Sequence, residues 1–268
     1  MGKARKGVTR TLQDKWYTRH RTSIDSGKYE PFWRVEDVKS SGIKVKVRAF
    51  NNPRRVVHLL SINELLMYSI IARDNTIVEC YEQFALPLED TLDIATELGV
   101  KHPVYPDTRI PIVQTIDFMC TRTNGTRIAF PVKEFDPSSH ARTAEKLAIQ
   151  EGYCAINDID YQVVTSEELK TRQCENVERI YKHARLDHIL KGLFKIWLEN
   201  FIGCLADDRH ERTAHIIERS AEITGVKYQR AVHFFYYALW HCFLIVDWSQ
   251  PLFLEKAASD LMLHANDA

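Results

Sequence analysis

The 268-residue sequence predicts an α/β unit, with a mixed sheet flanked by helices, followed by a smaller and mostly helical unit. Three observations lead there. Between residues 43 and about 165, β-rich runs alternate with runs of helical period. From Glu167 onward the pattern is almost wholly helical. Hydrophobic residues make up 45% of the chain, enough for a real core. The boundary is expected near residues 165–170, giving domains of 1–167 and 168–268.

The elements follow in order. Residues 1–22 have the pattern of a short amphipathic helix. Ile43, Val45 and Val47 alternate with Lys44, Lys46 and Arg48, a strand period; Asn51-Asn52-Pro53 is a turn, and Val56 and Val57 resume a strand. Ser61 followed by Glu64 is a capping box, opening a helix that runs to about Arg73. Residues 76–86 are β-rich, and a helix after them stops near Gly99. Residues 112–135 read as a hairpin with Asn124-Gly125 at the tip, since that pair accepts the positive φ of a tight turn. A helix near 139–158 and a strand near 160–166 complete the first unit.

The second unit reads as a helix over 166–185, another over 187–201, and two more separated by Gly225. A strand-like run, residues 243–253, closes it. Short helices, a glycine turn and a final β element predict a winged helix-turn-helix layout, with a plain helical bundle as the alternative. Phe234, Phe235, Tyr236, Tyr237, Trp240 and Trp248 are expected in its core rather than stacked on bases.

Composition excludes several classes. The longest apolar run, residues 231–246, is shorter than the ~20 residues of a membrane span, and His233 and His241 interrupt it. No apolar leader is visible at the basic front end, and the six cysteines are spaced singly. A reducing, cytoplasmic setting without a cysteine zinc site is therefore expected. Net charge is zero, yet residues 1–58 carry 15 Lys+Arg against 5 Asp+Glu and the remainder 21 against 31. A basic segment suits nucleic-acid phosphates, with Lys44, Lys46, Arg48, Arg54 and Arg55 as candidate DNA contacts. A solvated arm, or a surface against the chain's own acidic part, fits the charge equally well.

The hairpin carries the chemistry. Strand alternation puts Asp117 on one strand and Pro131 and Lys133 on the next toward a common cleft, and Glu64 on the earlier helix can complete it. Acids that hold Mg²⁺ beside a cation are what metal-dependent phosphodiester cleavage needs. Each residue also has an ordinary alternative. Glu64 can be a capping glutamate, Asp117 half of a buried ion pair, and Lys133 a surface lysine. Alternation turns Glu134 to the opposite face, and Glu145 reads as a helix or core residue.

Glu on a helix, then Asp, then x-V-K is the skeleton of the restriction-endonuclease-like, PD-(D/E)xK fold. The surrounding words, "HLLSINELLMYSI", "YEQFALPLEDTLDIATELGVKHPV", "TIDF", "VK" and "RTAEKLAIQEGYC", resemble the TnsA family. These are endonuclease subunits of heteromeric cut-and-paste transposases. The resemblance implies a restriction-endonuclease-like catalytic domain and a winged-helix-like C-terminal domain. It also implies Mg²⁺ dependence, with Mn²⁺ able to substitute, and cleavage at the 5′ ends of transposon DNA. The implied partners are transposon-end DNA, a DDE-type transposase subunit and an AAA+ ATPase regulator, with no membrane, and a site on the nucleoid when DNA is bound. The family's glutamate, aspartate and lysine fall on Glu64, Asp117 and Lys133. Its glutamine two residues before the lysine falls on Pro131, which offers no ligand. Two explanations stand: a backbone carbonyl such as that of Val132, with water, completes the metal shell beside Glu64 and Asp117, or the site has weakened and the protein serves as a scaffold bridging transposase, ATPase and DNA.

Overall fold

The computed structural model describes residues 7–38, 42–136, 138 and 140–266; the expectation for residues 1–6 lies outside these. The chain divides into two compact units, Met1–Leu169 and Lys170–Ala268.

In the first unit α1 (Arg10–Asp25) starts on Thr9, whose hydroxyl accepts from Leu12 N. The hairpin of β1 (Val45–Arg48) and β2 (Val56–Leu59) follows, then α2 (Ile62–Arg73), β3 (Ile77–Ala85) and α3 (Leu88–Glu97). Next come β4 (Thr115–Arg122), β5 (Arg127–Phe130), β6 (Val132–Lys133), α4 (Ala141–Ile156), β7 (Ile159–Tyr161), β8 (Val164–Thr165) and α5 (Ser166–Leu169). The main sheet has the order β3-β4-β5-β7, antiparallel except for the parallel pair β5 and β7. This is the mixed sheet the sequence predicts. A small parallel pair, β6 with β8, lies beside it.

The core joins the sheet to α3 and α4 through Phe84, Leu86, Ile94, Ile116, Met119, Ile149 and Tyr153. Burying a large apolar side chain contributes roughly 1.5–3 kcal/mol. Gly152 lets the two helices approach closely, since a Cβ there would sit 2.8 Å from Ile94 Cγ2. At the hairpin tip Gly125 has φ +84°, and Asn124 Oδ1 accepts from Thr126 N at 3.0 Å. The strand expected near 160–166 is instead two short ones, β7 and β8.

The second unit holds α6 (Arg172–Tyr181), α7 (Leu190–Asp207), α8 (Thr213–Thr224) and α9 (Tyr228–Trp240). The single helix expected over 166–185 is broken. Thr171 is extended and its hydroxyl accepts from Cys174 N, which starts α6 afresh. Gly225, at φ +73°, ends α8 in the left-handed conformation that favours glycine. Trp197, Phe201, Phe234 and Phe235 form a buried aromatic cluster. Of the strand-like run near 243–253, only β9 (Leu244–Ile245) is strand, paired antiparallel with β10 (His264–Ala265). The remainder is loop, tied down where Asn176 Nδ2 donates to the carbonyls of Trp248 and Gln250. Among the described residues no helix is long and apolar enough to cross a membrane.

Candidate active site

Each strand of the main hairpin meets its neighbour with a definite register. Phe118 pairs with Phe130, and Glu82 with Phe118. Stepping one residue along puts Asp117 between Gln83 on β3 and Pro131 at the end of β5. Pro131 has no N–H, so the β4–β5 ladder stops there. The chain continues into β6, and the Pro131 carbonyl accepts from Val164 N at 2.9 Å. Val132 N, released from the ladder, donates to Asp117 Oδ2 at 2.7 Å. Lys133 Nζ donates to the same oxygen at 3.1 Å and to the Val132 carbonyl at 3.0 Å.

Glu64 arrives from the first turn of α2. Ser61 caps that helix by accepting from Glu64 N at 3.1 Å, and the Ser61 hydroxyl donates back to Glu64 Oε1 at 3.2 Å. Leu60 N donates to Glu64 Oε2 at 2.9 Å. The capping role and the cleft role therefore coexist on one carboxyl. Gln83 links the two acids: its Nε2 donates to Asp117 Oδ1 at 3.2 Å and approaches Glu64 Oε2 at 3.4 Å. Burial, and then the nearby Asp117 charge, push the Glu64 pKa up to about 8, against the opposing pull of Leu60 N–H, Ser61 and Lys133.

Glu64, Asp117 and Lys133 thus come together from α2, β4 and β6. Glu64 and Asp117, bridged by the Gln83 amide, and the Val132 carbonyl beside Lys133 offer only oxygen atoms, the donor type that a hard divalent cation takes. A cleft of about 600 Å³ opens beside Glu64 and Val132, lined in part by Ser61, Asn63, Lys133 and Glu134, while Asp117 lies behind Lys133 and is not part of its lining. Glu134 corrects the sequence reading. The strand ends at Lys133, so alternation lapses, and Glu134 lines this cleft and accepts from Asn63 Nδ2 at 2.8 Å. Glu145 is paired with Arg142 one turn away on α4. Gln83, Asn63 and Thr115 were not singled out by sequence reasoning. The available signal was the buried polar Gln83 opposite an acid, visible only once the register is known.

The candidate DNA contacts separate. Arg55 is turned inward, where Nη1 meets Glu82 Oε2 at 2.5 Å and the guanidinium lies 5.4 Å from the Tyr29 ring centre. Glu82 is fully buried and also accepts from His58 N, so Arg55 neutralises a core acid and is corrected as a DNA contact. Lys44 Nζ is held by the carbonyls of Val35 and Val38, and Lys46 pairs with Glu36. Arg48 and Arg54 are exposed on the β1–β2 hairpin, Arg48 also donating to the Pro53 carbonyl.

The family model described as TnsA-like endonuclease N terminal matches residues 74–166. That stretch holds Gln83, Asp117 and Lys133, with Glu64 just ahead of it. The transposition protein TnsA of transposon Tn7, from Escherichia coli, is 31% identical over 155 residues. The alignment covers 57% of this chain and 56% of that protein, so the chain spans about half the length of its curated relative. Residues 74–166, which carry the mixed sheet together with Asp117 and Lys133, are thus similar to the N-terminal part of TnsA-like endonucleases.

Proposed function

We propose that the chain is a Mg²⁺-dependent DNA endonuclease subunit of a transposase, cutting the 5′ ends of transposon DNA by phosphodiester hydrolysis. The convergence of Glu64, Asp117 and Lys133 on one half-buried cluster carries this reading. Glu64, Asp117 and the Val132 carbonyl would hold the cation. When bound, it supplies Lewis acidity and lowers the pKa of water. Lys133, anchored on Asp117, would direct its ammonium at the attacking water or at charge developing on the phosphate. Arg48 and Arg54 would follow the DNA backbone. The α8–Gly225–α9 turn and the β9–β10 pair support a winged-helix-like second unit that docks an AAA+ regulator and DNA, while a DDE-type subunit acts at the 3′ ends.

A second reading rests on Pro131. A proline where the family carries glutamine favours a weakened nuclease fold that bridges transposase, regulator and DNA. One experiment separates the two. The protein is assembled with its transposase partner on transposon-end DNA and Mg²⁺, and 5′-strand nicks are mapped. The enzyme reading expects nicks in wild type that vanish in Asp117→Ala and Lys133→Ala. Nicks absent in wild type and present in Pro131→Gln would establish the scaffold instead.

A further inference from the structure

Gln83 is the group at this site that the catalytic reading leaves without a task. It is 3% exposed and sits in β3 at φ +50°, a conformation that costs a non-glycine residue energy and is retained where the surroundings enforce it. Its backbone carbonyl accepts from Phe32 N at 3.2 Å, which holds the bend in place. The bend carries the side chain to Asp117 from the side opposite Pro131. Asp117 therefore has an apolar ring at the neighbouring position on one strand and an amide on the other.

We propose that Gln83 is a metal ligand that takes over from the one missing at Pro131. This inference rests on the cation site of the preceding reading. As it stands, the amide turns Nε2 toward the acids, and Oε1 accepts from Thr115 Oγ1 at 3.3 Å. A cation between two carboxylates repels an N–H donor and attracts a carbonyl oxygen. Half a turn about the terminal side-chain bond exchanges the two amide ends. Thr115 can accompany it at little cost, because a hydroxyl donates to Oε1 in one orientation and accepts from Nε2 in the other. The same side chain thus links the two acids as it stands and, turned over, offers oxygen to a bound ion.

The test is Mn²⁺ binding to the full chain without DNA, followed through the electron paramagnetic resonance of free Mn²⁺. Gln83→Met keeps the length but offers neither donor nor oxygen, and affinity should fall on the order of ten-fold or more. Gln83→Ala is run beside it, so that one unfolded variant does not decide the matter, and melting in EDTA reports folding for both. Adding Pro131→Gln to Gln83→Met should restore affinity, because the oxygen returns from the other side of Asp117. Binding in the Gln83 variants equal to or tighter than wild type would overturn the inference, leaving the amide as a clasp that competes with the ion. Loss that Pro131→Gln does not rescue would overturn it too, by making Gln83 a structural support. Asp117→Asn separates the layers. If wild type binds no Mn²⁺, or binds it unchanged by Asp117→Asn, the cation site itself falls. If binding depends on Asp117 while the Gln83 variants bind as wild type does, only this inference falls.

Discussion

Among the described residues of the first unit two acidic side chains are buried, Glu82 and Glu64, and burial raises the pKa of both, but their neighbours differ. Glu82 has a guanidinium partner, and Arg55→Ala would strand it; an unpaired buried charge costs roughly 3–5 kcal/mol, to be read from urea denaturation. The same substitution should leave the salt dependence of DNA binding unchanged, whereas Arg54→Ala should lower its slope by about one, since each phosphate contact releases about one counterion. Glu64 has no such partner; burial, and then the nearby Asp117 charge, raise its pKa to about 8. A folded-state pKa above the unfolded value means the folded chain binds the extra proton. That contribution is intact below pH ~4.3, the unfolded carboxylate value, and is lost as pH rises through 8. In EDTA the protein should therefore lose up to roughly 1.4 kcal/mol per pH unit across that window, and Glu64→Gln should flatten the dependence in a pH series of thermal melts. That Asp117 and Lys133 lie together follows from strand alternation, and Glu64 was assigned to them through the family resemblance. Arg55 was misread because sequence shows charge but not the acid it is buried against.

At the level of elements, periodicity was reliable where a run was long and capped. The Ser61–Glu64 box started α2, and Asn124-Gly125 closed the main hairpin. It failed where elements were two or three residues long. β6 ends before alternation can be applied to Glu134, and Thr171 restarts a helix inside a continuous helical pattern. Two substitutions probe this scale. Ser61→Ala removes a helix cap worth ~1 kcal/mol and also frees Glu64 Oε1, so a lower melting temperature should come with weaker Mn²⁺ binding. Gly152→Ala is a case where local preference and packing disagree. Helix propensity favours alanine by about 1 kcal/mol, but the new Cβ would press on Ile94 between α3 and α4. Overpacking costs ~1–3 kcal/mol, so the expected outcome in urea denaturation is a net loss of stability.

For the whole molecule, each unit has its own buried cluster, aliphatic and aromatic around the sheet in one and largely aromatic in the other. Residues 170–268 made alone should fold, giving a helical circular dichroism spectrum and a cooperative melt; a flat, non-cooperative trace would show that the unit depends on the rest of the chain. The change of pattern after Glu167 lies close to the division between the two compact units after Leu169, whereas the way Pro131 passes the chain from one sheet to a second was not readable, because it depends on pairings distant in sequence. The main hairpin has one more consequence. Its tip, residues 123–126, is exposed and lies some six residues from Asp117, on the order of 20 Å at strand rise. A peptide tag or fluorophore grafted between Asn124 and Gly125 would ride at the far end of the same two strands that frame the acids. The protein thus carries a ready attachment point for a fluorescence test of the proposed binding to DNA.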